Sequence, residues 1–534
     1  MFSRRDFLGS AAAAGSVAAS SLSAASTRPN ILFVMVDEMR WDAMGCEKHP
    51  VVRTPNLDRL AKDGARFASS YTVSPVCSPA RACVFTGRHA HVNGVTMNQV
   101  PAHDGEIFLP SILRHNGYHT AIAGKLHYVP RRFDYGFNEF YTFSAEGPTP
   151  ELGYNAYLQK KHGSPAKWPK VPGTCPWPDD ELGRDVGLFA HPKEDFETEW
   201  ITDRSVDFLR ARKSNPQPWM LFTSYLKPHS PSVEPNPYFK MYDPAAMPIP
   251  KLPSNAKQQR AAQRGRNRRH YVDNEQMMRV MSALYYGAIS HIDDQVGRLF
   301  GELDRLGMAS NTLVLFTADH GNMLGDRGRW FKGLQYEGSA RVPLLWKEPG
   351  NRAQRGRVID KVVENTDLLP SILEYAGIAV PPGVQGRSFR ALAAGNDPNW
   401  KNTCFSQLRS GMWLDGSWKL IDNSLDGAGP RELYDLRNDP KEERNLAADP
   451  RHRDRVAHSM EQVAASRRPS RSGPHHRNVD ARLCPHRCPR ARRSHPQRPG
   501  QRGSAGRGPA WSPEKRRRTQ EERIGSASVT RAAR

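Results

Sequence analysis

Cysteine is scarce in this 534-residue sequence. The seven cysteines stand at irregular spacing, with neither a disulfide framework nor the paired CxxC pattern of a zinc site. The uncharged stretch that ends near Ser26 consists mainly of Ala, Gly and Ser, which bury too little apolar surface for a good membrane span. The sequence therefore excludes a small disulfide scaffold and predicts no stable membrane anchor.

Negative charge is also in deficit, but most of the imbalance lies at one end of the chain. The formal net charge is +22, and residues 466–534 supply 19 Lys and Arg against four Asp and Glu, which leaves +7 for the rest. Total charge therefore does not indicate a nucleic-acid partner. We predict that residues 466–534 form a disordered basic tail, because they have few large apolar groups. The tail is either native or the product of a reading-frame change.

The N-terminus has the pattern of an export signal. Arg4 and Arg5 precede the weakly apolar stretch, which is typical of a twin-arginine signal peptide. We predict a removable signal over residues 1–26, cleaved near Ala24 or Ala25, with the Tat translocon as partner. The protein would then fold before export to the bacterial periplasm or the extracellular space. The alternative is a disordered tail with a chance pair of arginines.

Four short apolar runs end in polar residues. Runs without polar alternation are typical of strands that are buried on both faces of a parallel sheet. Ligands of such sheets bind at the carboxyl ends of the strands, where each run here places a carboxylate, a lysine or a histidine. The four runs are Ile31–Val36, Tyr118–Ala123, Trp219–Leu226 and Thr312–Thr317.

Helical patterns alternate with these runs and predict an α/β fold. Thr54 and Pro55 predict a helix start with a capping hydroxyl, and Gly307 is expected to end a long helix over about Met277–Leu306. The predicted fold is a large mixed, mostly parallel sheet sandwiched by helices, over residues 27–385. Short strands at Ser417–Ile421 and Arg431–Leu436 predict a smaller C-terminal α+β domain over residues 386–465.

The segment around Cys77 is the most unusual local feature. Pro79 and the residues that follow predict a helix that begins close to Cys77, where free amide groups favour an anion. Arg81 lies one turn further along and can reach back. Cys77 is thus either an ordinary packed thiol or the centre of an anion site, whereas Cys83 is expected to be a small buried apolar residue.

The stretch from Cys77 to Arg81, followed by Thr86, Gly87 and Arg88, resembles the signature of the type I, formylglycine-dependent sulfatases of the alkaline-phosphatase-like superfamily. Segments elsewhere are similar to that family's other motifs, in the family's order, from about Arg28 to Leu446. The segments are RPNILFVMVDEMRWD, AGKLHY, LKPHSP, TADHGNMLGDRGRWFKGLQYEGSARVPLL, NTDLLPSILEYAGI and LYDLRNDPKEERNL.

The resemblance implies a modified residue at position 77. In the family, a formylglycine-generating or anaerobic maturase oxidises this cysteine to formylglycine, whose aldehyde hydrates to a diol that carries the nucleophilic hydroxyl. The resemblance also implies a divalent cation held by Asp37, Cys77 in its modified form, Asp319 and His320. It favours Ca²⁺, with Mg²⁺ or Mn²⁺ possible for a donor set of carboxylates and imidazole.

Further roles follow from the same resemblance. Arg81 and Lys125 would hold the diol and the sulfate group, and His229 and Lys332 would bind sulfate oxygens, one of them protonating the leaving alcohol. His127 would take the proton from the second hydroxyl as the sulfate is expelled. Taken singly, each of these residues also has an ordinary structural explanation.

Three further residues carry separate expectations. Glu38 replaces the aspartate that many members of the family have, which leaves its role as a metal ligand open. Tyr336 and Glu337 are expected to pack against Lys332 or to orient it.

Other functions stay open from the sequence. The same machinery could hydrolyse phosphonate or phosphate esters, and an unmodified thiol would give an inactive homologue. The motif around Asp319 looks most like that of choline sulfatase, but an export signal fits poorly with a cytoplasmic enzyme of that kind. The alcohol part of the sulfate ester substrate and the oligomeric state are not specified.

Overall fold

We describe a computed structural model of the chain. It covers residues 28–143, 146–163, 168–171, 173–174, 186–251, 272, 274–426 and 429–468. The predicted signal over residues 1–26 and nearly all of the predicted tail over residues 466–534 lie outside these residues. Within the described parts, no helix is both long and apolar enough to cross a membrane.

Sixteen strands lie within the described residues. In chain order, β1 to β16 are Asn30–Asp37, Ala65–Phe67, Ser70–Tyr71, His119–Gly124, Glu139–Thr142, Val186–Leu188, Trp219–Pro228, Ser232–Glu234, Thr312–Ala318, Leu344–Lys347, Arg357–Ile359, Val363–Glu364, Thr403–Gln407, Gly411–Asp415, Trp418–Asp422 and Glu432–Asp435.

The eight-stranded sheet has the order β11-β2-β10-β9-β1-β7-β4-β5. Its four central neighbours, β9, β1, β7 and β4, are parallel and correspond to the four apolar runs predicted as strands. Only β10 is antiparallel to the strands on both of its sides. The predicted mixed, mostly parallel sheet is therefore confirmed.

Strand β1 shows why the apolar runs lack polar alternation. Successive side chains of a strand point to opposite faces of the sheet, and both faces of this sheet are covered. Leu32 and Val34 pack in one core layer with residues of the long helix at Glu275–Arg305, and Phe33 packs in the other with Phe85 and Leu369. A polar residue on either face would be buried without a partner.

The described residues also form eleven α-helices. In chain order, α1 to α11 are Pro55–Asp63, Cys77–Thr86, Ala90–Asn93, Leu109–His115, Tyr154–His162, Glu197–Arg212, Glu275–Arg305, Glu337–Ala340, Leu368–Tyr375, Arg390–Ala393 and Arg453–Ser466.

Helix ends test two of the local predictions. Helix α7 begins with the Asn274 side chain accepting from the Met277 amide, and it is followed by Gly307 in the left-handed region at φ 73°. The long predicted helix and its glycine stop are confirmed. The predicted cap at Thr54 is wrong, because its hydroxyl donates to Asp58 and accepts from the Gly45 amide instead.

The C-terminal part forms a separate antiparallel sheet in the order β13-β14-β15-β16. Phe405, Leu420 and Leu433 of this sheet pack against Val463 of α11. The predicted small α+β unit is thus confirmed, and β15 and β16 lie where strands were predicted at Ser417–Ile421 and Arg431–Leu436. The domain boundaries given above stay a prediction.

We expect Leu299→Ala in α7 to lower the free energy of unfolding by about 2–5 kcal/mol, because a fully buried leucine leaves a cavity in the layer that covers the sheet. Chemical denaturation followed by circular dichroism measures this loss. Asp304→Ala, at an exposed position of the same helix, is the matched control and should change stability by less than about 0.5 kcal/mol. Equal losses in the two variants would contradict this assignment of the core.

Candidate active site

The carboxyl ends of the four central strands bring the predicted site residues together. Asp37 is the last residue of β1, and Asp319 and His320 directly follow β9. Lys125 directly follows β4, and His229 directly follows β7. Because parallel neighbours end at the same edge, these side chains meet there.

Cys77 is the first residue of α2 and lies at this edge. Its side chain is 1% exposed. The Sγ atom lies 3.5 Å from Asp37 Oδ1, 3.2 Å from His320 Nε2 and 3.3 Å from Lys332 Nζ. In a formylglycine-containing protein an oxygen would stand where Sγ stands here.

Four donor atoms form a compact set that fits a divalent cation. One atom each from Asp37, Cys77, Asp319 and His320 lies within 4.8 Å of the others. His320 Nε2 is 3.6 Å from Asp37 Oδ1 and 3.5 Å from Asp319 Oδ1. Ligands at right angles on an ion with bonds of about 2.3–2.6 Å are about 3.3–3.7 Å apart, so these two distances fit a divalent cation.

Arg81 connects the carboxylates of Asp37 and Asp319. Its side chain is fully buried, and Nε donates to Asp319 Oδ2 at 2.8 Å. Nη1 donates to the Lys125 carbonyl and to Ser224 Oγ, while Nη2 is 3.6 Å from Asp37 Oδ2. Since most of its donors are engaged, Arg81 orients both carboxylates as well as adding positive charge.

Two lysines bind carboxylates of the site. Lys125 Nζ donates to Asp37 Oδ2, and Lys332 Nζ donates to Glu38 Oε2 at 2.8 Å. The other Glu38 oxygen accepts from Asn322 Nδ2 at 2.7 Å. Glu38 therefore orients Lys332 here, at a backbone φ of 73°, and is not one of the four closely grouped donors around Cys77.

The cations shift the acid–base behaviour of the buried groups. Burial and the neighbouring Cys77 oppose ionisation of Asp37, yet Lys125, His229 and Lys332 hold its pKa well below the usual range. Burial likewise opposes a thiolate, but Lys125, Lys332 and His320 lower the pKa of Cys77 well below its ordinary value. The geometry thus favours an anion at position 77.

Two histidines belong to the same edge: His127 interacts with Cys77, and His229 lies beside Asp37 and Glu38. His127 adopts a backbone φ of 66°, and its carbonyl accepts from Ser78 Oγ at 2.8 Å. Its imidazole contributes to lowering the pKa of Cys77. His229 Nε2 is 3.5 Å from Glu38 Oε2, and its side chain is 20% exposed. All nine residues named as catalytic or metal-binding, His127 among them, are therefore brought to one edge of the sheet.

Sequence reasoning missed a supporting residue of this site. Glu146 is 4% exposed, and Oε2 accepts from the amides of Leu126 and His127, each at 3.1 Å. It lies in a loop after β5 where the sequence has neither strand nor helix periodicity. A carboxylate in such a loop carries no local signal, and only the folded chain shows that it fixes the His127 backbone.

Tyr336 and Glu337 are predicted to pack or to orient Lys332, and Glu337 is indeed buried. The Tyr336 hydroxyl donates to Glu432, and Glu337 accepts from Lys419 Nζ at 2.9 Å. Both side chains thus bind the C-terminal sheet, and Glu38 orients the Lys332 ammonium instead.

The mostly parallel fold with a grouped cysteine, carboxylates and imidazole defines a hydrolase of the alkaline-phosphatase-like class. Sequence comparison places two family descriptions on the chain: "Sulfatase" over residues 29–378 and "N-sulphoglucosamine sulphohydrolase, C-terminal" over residues 325–468. The chain belongs to the sulfatase family, whose enzymes are sulfuric ester hydrolases. The family resemblance found in the sequence is confirmed.

Individual relatives agree with this placement. An arylsulfatase of Clostridium perfringens is 31% identical over 460 residues, which cover 80% of this chain and 92% of the relative. A choline-sulfatase of Rhizobium meliloti is 31% identical over 441 residues, covering 79% and 83%. The solved structure of a phosphonate monoester hydrolase from Silicibacter pomeroyi matches with a TM-score of 0.69 at 26% identity, covering 85% of this chain and 96% of that one.

A proton would compete with a divalent cation for His320. Burial opposes a charged imidazole, but Asp319 and Cys77 outweigh it and raise the pKa of His320 to about 9. Below that pH the ring is protonated and must release a proton to bind metal. We therefore expect Ca²⁺ affinity of the unmodified chain to rise about tenfold from pH 7 to pH 8, as measured by isothermal titration calorimetry. His320→Ala should bind more weakly with a flatter pH dependence, and equal affinities of the unsubstituted chain at the two pH values would contradict the competition.

Proposed function

We propose that the protein hydrolyses a sulfate monoester to an alcohol and inorganic sulfate, using a formylglycine made from Cys77 and a divalent metal ion. The observation that carries the proposal is the position of Cys77 Sγ, within 3.5 Å of two predicted metal ligands and within 3.3 Å of Lys332. Membership of the sulfatase family supports the same chemistry.

Asp37, Asp319, His320 and the oxygen at position 77 would hold the cation, with Ca²⁺ favoured by the donor set. A bound cation would polarise a sulfate oxygen, and formylglycine would supply a hydroxyl nucleophile. Arg81 lies 2.8 Å from Asp319 and 3.6 Å from Asp37 and so aligns both carboxylates for this purpose.

The basic side chains bind the substrate anion. Lys125 and Lys332 already interact with the carboxylates of Asp37 and Glu38, and both lie next to position 77. Each stabilises the negative charge that accumulates on the sulfate oxygens, in a site that excludes most water. Because their charges are fixed before substrate arrives, little reorganisation is needed during the reaction.

The two histidines move protons. The side chain of His229 is 20% exposed, more than that of Lys125 or Lys332, so His229 faces the side from which the alcohol departs, and it donates a proton to the leaving oxygen. His127, whose backbone is fixed by Ser78 and Glu146, accepts a proton as inorganic sulfate is released. Protonation of the alcohol and release of sulfate thus each use a different histidine.

A phosphonate monoester hydrolase is the second candidate. The similarity to the Silicibacter pomeroyi enzyme favours it, and phosphonate and sulfate esters both present a tetrahedral anion to a cationic site. The ratio of kcat/KM on 4-nitrophenyl sulfate to that on a 4-nitrophenyl phosphonate monoester separates the two. We expect the ratio to favour the sulfate.

We further propose that the protein acts in the bacterial periplasm or outside the cell. The paired arginines at positions 4 and 5 support export through the Tat translocon. N-terminal sequencing of the protein secreted by its native host should begin near residue 25 or 26, whereas a sequence that starts at Met1 would contradict export.

Cys77→Ala should abolish sulfatase activity, with kcat/KM falling more than about 1,000-fold, because the nucleophile is lost. The chain is produced with a formylglycine-generating maturase, and mass spectrometry of the peptide around residue 77 checks for the aldehyde. A small panel of aryl, sugar and choline sulfates then measures the activity.

Cys83→Ala is the matched control for this experiment. Cys83 lies on the same helix and is also buried, and burial raises the pKa of its thiol. We expect this variant to keep both the aldehyde at position 77 and the activity. Full turnover by Cys77→Ala, or a converted wild type that hydrolyses none of the panel, would overturn the proposed function.

A further inference from the structure

The turn that carries His229 is closed by the side chain of Lys227. Lys227 lies near the end of β7, and its Nζ donates to the carbonyl oxygen of Pro231. The His229 amide donates back to the Leu226 carbonyl at 3.1 Å. The bond from Lys227 to Pro231 joins the ends of a five-residue turn with His229 at its centre, and the bond from His229 to Leu226 closes the first half of this turn.

The Lys227 ammonium is buried and has its own counter-charge. Its side chain is 1% exposed, and Nζ is 4.0 Å from Glu234 Oε1, on the strand that follows the turn. The rings of Trp168 and Phe196 face the ammonium, with centroids 5.7 and 5.6 Å from Nζ. A buried cation with a carboxylate and two aromatic faces around it has little freedom to move.

Glu234 is fixed in turn by His291. The two ring nitrogens of His291 lie 3.2 Å from Glu234 Oε2 and 3.2 Å from Glu199 Oε1. Burial opposes a charged ring, but hydrogen bonds to Glu199 and Glu234 raise the pKa of His291. The Tyr238 ring stacks on the imidazole at 4.0 Å and 9°. Glu234 is therefore held between His291 and Lys227.

The outer end of this series reaches α6 and α7. Glu199 accepts from Lys193 Nζ and from Arg298 Nη1, each at 2.7 Å. We call Glu199, His291, Glu234 and Lys227 the buried charge chain. Buried ion pairs add little net stability over apolar packing of the same volume. The buried charge chain therefore calls for an explanation other than stability, and it ends at the turn that carries His229.

We propose that Lys227 is a positioning residue that holds the His229 imidazole in place for protonating the leaving alcohol. The inference rests on the proposed function, in which His229 is that proton donor. Lys227 itself is directed at Pro231 and Glu234, so it acts through the turn and not on the substrate. Misplacing a proton donor by about 1 Å costs catalysis heavily, while binding of the sulfate group by the other cations is retained.

A leaving-group series tests this role. The formylglycine-containing Lys227→Met variant keeps the length of the side chain but loses the ammonium. Relative to wild type, we expect kcat to fall about 10–100-fold on sulfates of weakly acidic phenols, but less than about 3-fold on 4-nitrophenyl sulfate, whose leaving group needs little protonation. KM should change little. Lys193→Met, which removes a partly exposed ammonium that binds Glu199 from outside the buried charge chain, is the matched control and should match wild type on every substrate.

The double variant with His229→Ala distinguishes positioning from a separate structural role. If Lys227 acts through His229, the double variant should lose no more activity than His229→Ala alone. Additive losses, or the same loss on every leaving group in Lys227→Met, would overturn the inference. If kcat depends on the leaving group in His229→Ala as it does in wild type, His229 is not the proton donor. That result would overturn its role in the proposed function, and with it the purpose assigned to Lys227.

A second measurement does not depend on activity. Hydrogen–deuterium exchange of peptides that span residues 226–234 should be at least about tenfold faster in Lys227→Met and in Glu234→Gln than in wild type, and unchanged in Lys193→Met. Glu234→Gln preserves the size of the side chain, so it provides the same test should Lys227→Met fail to fold. Unchanged exchange in these variants would show that Lys227 does not hold the turn.

Discussion

Mutual neutralisation of buried charges at the ends of β1 and β9 is the interaction on which this site depends. Asp37 and Asp319 are both 0% exposed, and carboxylates at such depth stay ionised only beside cations. Arg81 bonds to Asp319 and lies 3.6 Å from Asp37, and it belongs to the helix that begins at Cys77. One guanidinium therefore sets the carboxylates and, through α2, the position of Cys77 relative to the sheet.

The parts of the fold that the sequence predicted are those with strong local signals. The runs that became β1, β4, β7 and β9 are continuous and apolar because both faces of the sheet are covered. Helix α7 has an apolar periodicity that persists over many turns. Thr54 failed as a cap because its hydroxyl oxygen accepts from the Gly45 amide instead of an amide of the helix, and such competition is invisible in a residue pattern.

The site residues that the sequence predicted are those at strand ends and in family motifs. Polar residues directly after buried parallel strands meet at one edge, and those residues were found. The contacts that orient them join distant parts of the chain: Glu38 and Lys332 are 294 residues apart, and Glu146 acts through backbone amides. Such pairings depend on loop paths that carry no periodic signal, so the roles of Glu38, Glu146 and Lys227 could be read only from the folded chain.

The burial of Cys77 limits when its proposed oxidation could take place. All ten residues of α2 are buried, so an enzyme that oxidises this thiol has no access to it once the chain has folded. The proposed oxidation of Cys77 would therefore take place during or soon after synthesis, and a thiol missed in that interval would stay a thiol. If the chain is exported in the folded state, as proposed, the cytoplasm would be the compartment in which each copy becomes an active enzyme or an inert one.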